Sequence, residues 1–590
     1  MGSIKHQDYS SIEESKRIFD FLCGQFDETA FPSAIKDLKS SVKFTSSRDA
    51  PYFPIPFKET ETSAALKAVE GAVACLLADL VDGEPRKRKI NVDLEKTTAF
   101  LCQAYMAKVG GLGKLDPGVK ALLKGKFKLI SYNCSQSNSY RRMSANLYET
   151  KVPGEYYHIH GSLEASTTLK MIGLEPFRPD LQSHESIVDA IEPAVRKFST
   201  KELEALNATN RQAGVPAFKH EGFLKTEHVS LSVPQQVAQK DKAHSIIQGK
   251  TNIALPPWSV ENLESETPKC PLPSSSGQQS TRILSGVKVL ELCRIIAGPI
   301  VTRILGEYGA DVLKITSPHL SDVPFFQVDG NMGKHAAELD LKTPEGRVEF
   351  ERLLAEADVV VDGYRPGALE KLGYGATALT RMAKERGKGF VYVNENCFGY
   401  QGEWAGRPGW QQIADCVSGI AWEQGRFMGL SEPMVPPFPI SDYGTGCIGA
   451  ITALLGLYHR ATQGGSWHGK ASLLHYDLLL FKVGQYPEEV KEMLRKNIGP
   501  DFLALRHAHS VDQISGTALL RMRNVYPDLF TGDKYVEKWY SNAYKAEVEA
   551  VPPVVDIEGV DVGFRRASRP NGADQPTWDF EDELDRKLSK

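Results

Sequence analysis

From residue 287 onwards the chain keeps to one alternation. Residues 287–292, 310–315, 358–362 and 390–394 are short, nearly unbroken apolar runs, and helical periodicity fills much of the space between them, over 300–308, over 343–355 and from residue 367. A strand that buries one face alternates apolar with polar, whereas one covered on both faces reads as a continuous apolar run. Strands of the second kind separated by helices predict a doubly wound parallel sheet, so the fold class is α/β. Pro344 stands at the first position of its predicted helix, where the missing N–H costs nothing. The turn Ala297-Gly298-Pro299 joins the first strand to the first helix, and a helix start there suits an anion.

The region ahead of this pattern is organised differently. Residues 1–62 form an N-terminal extension that is polar and proline-punctuated, with one amphipathic helix over 12–21. Residues 63–81 carry Ala, Val and Leu at helical spacing and stop at Asp82-Gly83-Glu84-Pro85, a turn. A strand over 89–94 and a helix over 94–108 follow. A strand pair over 148–161, broken at Pro153-Gly154, and helices over 163–174, 185–198 and 199–213 predict a smaller α+β domain. Residues 260–285 are rich in Ser, Thr and Pro (Pro268, Pro271, Pro273) and are expected to be a linker. The expected division is therefore 1–62, 63–259, 260–285, 286–480 and a helical and extended segment over 481–590. One internal similarity crosses it: residues 71–83 and 450–464 are both small-residue helices ending at a glycine turn that leads into a strand.

Composition narrows the function classes. Lys and Arg total 70 against 74 for Asp and Glu, a formal net charge of -4, which is not the footprint of a nucleic-acid binder. The densest basic cluster, Arg86-Lys87-Arg88-Lys89, follows a turn. Nine cysteines, an odd number with no CxxC pair, point to reduced thiols and to no metal site. The residues from Met1 to His6 show no apolar signal core, and apolar stretches such as 448–458 are too short to span a bilayer. A cytoplasmic protein without membrane partners is expected.

Several motifs then fall in a recognisable order. Gly286-Val287-Lys288-Val289-Leu290-Glu291-Leu292, Ala297-Gly298-Pro299 and Leu305-Gly306-Glu307-Tyr308-Gly309-Ala310-Asp311 come first. Leu339-Asp340-Leu341-Lys342-Thr343-Pro344, Tyr364-Arg365-Pro366-Gly367, Leu372-Gly373-Tyr374 and Ser441-Asp442-Tyr443-Gly444-Thr445-Gly446 follow. This series resembles the family III CoA-transferases, the CaiB/BaiF-like group that also holds formyl-CoA transferase and the 2-methylacyl-CoA racemases. The first half resembles the same family more faintly, as a degenerate, truncated copy whose core strands before residue 60 are missing. Family members form interlocked dimers, so the resemblance implies a homodimer or an internal pseudo-dimer.

The resemblance assigns roles. Asp442 matches the nucleophilic aspartate, which would attack an acyl-CoA thioester, form a mixed anhydride and then an aspartyl-CoA thioester, and pass CoA to an acceptor carboxylate. The implied function is a CoA-transferase with acyl-CoA and a carboxylic acid as substrates and no permanently bound cofactor. Ile295, Ile296, Ala297, Gly363, Tyr364, Lys371, Leu372 and Leu473 match CoA contacts, and Gly110, Gly111 and Gly113 match a glycine loop that closes over the intermediate. Ser317 and Pro408 replace a family arginine and lysine, which leaves Lys314, Lys334 and Arg365 as expected phosphate ligands. Trp410 stands where the racemases carry a histidine base, and an indole cannot accept that proton. Two alternatives remain open: a CoA-binding scaffold without turnover, and a racemase or epimerase, against which Trp410 counts. In the first half Glu59 or Glu61 falls near the position of Asp442. His158 and His160 alternate on a strand with no metal-ligand spacing beside them and are expected to be structural.

Overall fold

The computed structural model describes residues 9–124, 138–230, 255–273, 282–580 and 585–588, apart from 25, 27, 162, 321, 532 and 533. Cys134 and the middle of the expected linker lie outside the described residues.

The first unit is a strand–helix–strand–helix run: β1 (Val42–Thr45), α1 (Glu59–Asp82), β2 (Ile90–Asp93) and α2 (Leu94–Leu101). β1 and β2 pair in parallel. A parallel strand thus stands before residue 60, where the sequence shows none; it is only four residues long, too short to register as an apolar run. A hairpin of Ala145–Glu149 and Tyr156–His160, with Val215–Pro216 beside it and three helices packed on it, makes the expected smaller α+β domain around its own core.

The second sheet begins inside the expected linker. β3 (Ser259–Glu264) is an edge strand, antiparallel to its neighbour. Its Val260 and Glu264 face inwards, and the Glu264 carboxylate accepts hydrogen bonds from Ser466 and Thr267, so a serine-rich stretch is held by polar pairing rather than by apolar burial. There follow β4 (Lys288–Leu292), α3 (Ala297–Glu307), β5 (Asp311–Thr316), β6 (Lys334–Glu338), β7 (Val359–Asp362), β8 (Val391–Asn396), α4 (Gln411–Ser418), α5 (Ile440–Gln463), β9 (Ser466–Ser472) and α6 (Leu473–Val483). The order across the sheet is β6-β5-β4-β7-β8-β9-β3, with the first six parallel. This is the doubly wound arrangement that the apolar runs predict. Strand order reverses between β4 and β7, and there the helices following the two strands leave on opposite sides and open a crevice at the carboxyl ends.

α5 packs against α3 and α1 and is almost wholly buried. It is long and apolar enough to cross a membrane by length and composition, yet it is a core helix here. β10 (Val555–Ile557), from the C-terminal segment, pairs antiparallel with β2. The sheet β1-β2-β10 therefore repeats the pattern of β8-β9-β3: two parallel strands joined through a long helix, then an antiparallel edge strand supplied by a distant part of the chain.

Candidate active site

Asp442 is the third residue of α5, at the carboxyl ends of the parallel strands. It is half-buried, and among the described residues no hydrogen-bond donor or cation pairs with its carboxyl. Burial, with the Asp477 carboxyl close by, pushes its pKa up to about 8. α5 starts at Pro439, which provides no side-chain cap, so the first backbone N–H groups of the helix are left for other acceptors.

Behind Asp442 lies a buried acidic network. The Ser441 hydroxyl sits 2.8 Å from Asp477 and 3.2 Å from Asp415, and the Ser418 hydroxyl sits 3.1 Å from Asp477. A hydroxyl carries one proton, so Ser441 cannot donate to both carboxylates at once. One of the two acids must bring a proton of its own. Consistent with this, burial raises Asp477 to about 7 and Asp415 well above the carboxylate range. Glu59 on α1, bonded by the Tyr476 hydroxyl at 2.8 Å, is raised by burial to about 8.

The crevice is built from small residues. A Cβ on Gly298, in the first turn of α3, would lie 2.6 Å from the Cys293 sulfur, and one on Gly446 of α5 would lie 2.5 Å from Ile300. The N-terminal turns of α3 and α5 thus close on each other and on the end of β4. A Cβ on Gly363, just after β7, would meet Cys293 Sγ at 3.1 Å and Glu395 Oε2 at 3.2 Å. Ile295 takes a left-handed φ of 68°, uncommon for a β-branched residue, and turns the chain from β4 into α3. α3 has no side-chain cap either. Two uncapped helix N-termini beside one crevice make it a favourable place for negative charge.

The expected CoA contacts divide. Ile295, Ile296 and Ala297 line one side of the strand-order reversal, and Gly363 and Tyr364 the other. Lys371 and Leu372 are on a short outer helix, Ala368–Leu372, with Lys371 exposed. Leu473 opens α6 and is buried in the main core. Arg365 is exposed at the mouth of the crevice, its guanidinium held below its usual pKa by partial desolvation and by nearby Arg294. Two guanidiniums this close suit a polyanion.

Lys314 and Lys334 do not reach it. Both are fully buried and face Glu291, with Lys334 Nζ 2.7 Å from that carboxylate and 2.6 Å from the Pro299 carbonyl. They are core ion pairs beneath α3, since alternation along β5 and β6 turns them inwards. Gly110 and Gly111 are the two corner residues of a tight hairpin, Lys108–Val109 with Leu112–Gly113, at φ 56° and 77°. That double positive φ is the type I′ signature, so these glycines serve a fixed turn, paired through Val109 to Val548, in place of the expected open loop. Trp410 stacks on His160, which stacks on His158, and burial drives His158 down to about 3. Both histidines are neutral packing partners, and no cluster of metal-binding residues occurs among the described residues.

Four site residues escaped the sequence motifs: Arg294, Glu395, Asp415 and Asp477. Signals existed. Asp415 and Asp477 are lone acids on otherwise apolar helical faces, and Glu395 continues the inward row of Val391 and Val393. A charge at such a position asks for a reason.

A switch-point crevice, two uncapped helix starts, a pair of guanidiniums and an unpartnered carboxyl on α5 define a doubly wound α/β protein whose crevice suits an anion beside an open acid. A model of CoA-transferase family III matches residues 284–489. The acetyl-coenzyme A transferase nodX of Hypoxylon pulicicidum is 30% identical over 557 residues, spanning 93% of this chain and 90% of the relative. An acyl-CoA transferase of Gibberella moniliformis is 32% identical over 507 residues, 84% of this chain and 83% of that one. A CaiB/BaiF family protein of known structure from Brucella suis superposes with a TM-score of 0.34 at 21% identity, covering 49% of this chain and 96% of its own. The chain belongs to the family III CoA-transferases.

Proposed function

We propose that the protein moves CoA from an acyl-CoA thioester to a free carboxylic acid through a covalent intermediate on Asp442. The observation that carries this is the contrast between Asp442 and the three acids packed behind it. Asp415, Asp477 and Glu59 are buried and hydrogen-bonded. Asp442 alone of the four is half-exposed and without a donor among the described residues.

The chemistry follows from that position. The ionised carboxyl attacks the thioester carbonyl, the C–S bond breaks, and an acyl–aspartyl anhydride forms. CoA thiolate then attacks the aspartyl carbonyl, and the donor acid leaves. The acceptor carboxylate repeats the sequence in reverse. A carboxylate is a weak nucleophile, so holding it in line with the thioester supplies much of the rate. Uncapped N–H groups in the first turns of α5 and α3 are placed to stabilise the tetrahedral oxyanions. The adenine and phosphate end of CoA is assigned to Arg294, Arg365, Tyr364 and the 295–297 turn.

The repeated strand–helix–strand–helix topology supports a second inference, that residues 42–101 are a diverged copy of the 391–483 unit. The antiparallel edge strand of each unit comes from the segment that follows the other, an internal imitation of an interlocked dimer.

The test is covalent trapping. The protein is incubated with a panel of acyl-CoA donors, hydroxylamine is added, and the Asp442 peptide is mapped by mass spectrometry. A hydroxamate on Asp442 is expected, and none in Asp442→Ala. CoA binding with no adduct across the panel would replace transfer by a scaffold role.

A further inference from the structure

Glu395 ends β8 on the same face as Val391 and Val393, both of which are buried in the core on which α5 packs. Its carboxyl lies over Gly363 on the crevice floor, and it is half-buried with no partner among the described residues. A line from the strand-order reversal at Gly363 to Asp442 and Leu473 crosses the end of β8, because β8 lies between β7 and β9. Any thioester presented to Asp442 from that crevice passes Glu395. The ionisable groups around it are Asp442 on α5, Asp362 at the end of β7, Cys293 after β4, and Cys397 and Tyr400 beyond its own strand. None of these is a cation.

We propose that Glu395 is a second catalytic carboxyl, which gives its proton to the CoA sulfur as the anhydride forms on Asp442 and takes it back when the thiol returns. The proposal rests on the covalent reading of Asp442. Its first step is Asp442 carboxylate plus acyl-CoA plus Glu395 carboxylic acid, going to acyl–aspartyl anhydride plus CoA thiol plus Glu395 carboxylate. The C–S bond breaks, a C–O bond forms and the proton goes to sulfur. In the second step Glu395 carboxylate removes that proton, the thiolate attacks the Asp442 carbonyl, and the donor carboxylate departs. One negative charge moves from Asp442 to Glu395 and on to the product, and the crevice never has to hold two.

That accounting fits the surroundings. Two carboxyls in one partly desolvated site, one of them feeling the other's charge, resist ionising together and lose their protons in two separate steps. Burial and the Asp442 charge push Glu395 up to about 8, close to the range of an ordinary thiol. A proton shared between groups of matched pKa moves with least cost.

The experiment compares the full-length wild type with Glu395→Gln, using hydroxamate formation on Asp442 as the rate and CoA affinity by calorimetry as the control for folding and binding. Wild type is expected to give a bell-shaped pH–rate profile, rising as Asp442 ionises and falling as Glu395 loses its proton. Glu395→Gln is expected to bind CoA within about threefold of wild type, to form the adduct on the order of 10²-fold more slowly, and to lack the falling limb. Donors with an arylthiol leaving group, which need no proton, should recover most of that loss. Equal rates and identical profiles in the two proteins would overturn the role of Glu395 while leaving Asp442 intact. No hydroxamate in wild type with any donor would remove the covalent reading itself, and the proposal with it. Should Glu395→Gln not fold, the wild-type leaving-group series decides: a steep dependence on thiol pKa means that no proton is delivered, and that result too would overturn the proposal.

Discussion

The helices Glu59–Asp82 and Ile440–Gln463 begin alike. Each has 24 residues, each is entered through a residue of nearly the same conformation (Lys58 at φ -81°, ψ 63°; Pro439 at φ -86°, ψ 56°), and each ends at a glycine of positive φ. Each carries an acid at its third residue, Glu61 in one and Asp442 in the other. Glu61 is completely buried, and its carboxylate accepts hydrogen bonds from Tyr9 at 2.9 Å, Ser11 at 2.8 Å and Tyr486 at 2.8 Å. Asp442 keeps part of its surface open and no donor among the described residues. The same backbone device thus serves as a structural lock in one place and leaves an open carboxyl in the other. What separates them is the neighbours: a helix over Ser11–Cys23 packs on α1 and brings Tyr9 and Ser11 to Glu61.

The sharpest way to break this contrast is to exchange the losses. Asp442→Asn should lower CoA transfer by on the order of 10⁴-fold, the scale seen when a nucleophile is removed, while Glu61→Gln should stay within about threefold of wild type. A chromatographic assay of acyl-CoA formation from free acid reads both. Comparable losses in the two variants would mean that Glu61 also takes part in the chemistry.

For stability the order is reversed. Glu61→Ala leaves the buried Ser11 and Tyr486 hydroxyls and the partly buried Tyr9 hydroxyl without their acceptor, which should cost at least about 3 kcal/mol, since each unsatisfied buried polar group costs ~1–3 kcal/mol. Asp442→Asn removes a carboxyl that its site disfavours in the charged form, so at pH 9 its urea midpoint should lie at or above that of wild type. A Glu61→Ala midpoint equal to wild type would show that the three hydroxyls find water instead.

A pH series sharpens the same point. Asp442, Glu59, Glu395, Asp362 and Asp477 all have folded pKa values of about 7 to 8, raised by burial. In the unfolded chain they ionise near 4. The folded state therefore holds extra protons between those values, and the associated stability is complete below about pH 4 and is lost as the pH rises through 7 to 8. Thermal unfolding should shift to lower temperature between pH 6 and pH 9, and CoA should oppose that shift by binding the folded state. A midpoint that rises over this interval would mean that these acids are solvated and ionised in the native protein.

Much of this was written in the sequence, and the omissions have physical causes. The parallel sheet was legible because strands covered on both faces leave apolar runs that nothing else in the chain imitates. Lys334–Glu338 was not, since Lys334 and His335 interrupt its run, with Lys334 neutralised by Glu291 through tertiary contact. Ser259–Glu264 looked like linker because an antiparallel edge strand needs only backbone pairing and one inward row. Asp442 was singled out through its motif, and the carboxyls that surround it were not, because Asp415, Asp477 and Glu395 converge from three different elements. Lys314 and Lys334 were misjudged for the complementary reason: a charge count along the chain does not reveal which lysines turn inwards.

The smallest effect concerns the turn at Gly110 and Gly111. A Cβ at Gly111 would meet no atom within 4 Å, so only its φ of 77° opposes a side chain. Placing an L-residue in the left-handed region costs about 1 kcal/mol. Gly111→Ala should therefore lower stability by about that amount and leave Asp442 trapping unchanged, because the turn is fixed by its pairing with the C-terminal strands. A rate loss without a stability loss would mean that the hairpin leaves its sheet and closes over the intermediate during turnover, restoring the mobile glycine loop that the family resemblance implies. The comparison between a sealed and an open helix start would then gain a third member, an element that is sealed at rest and open in action.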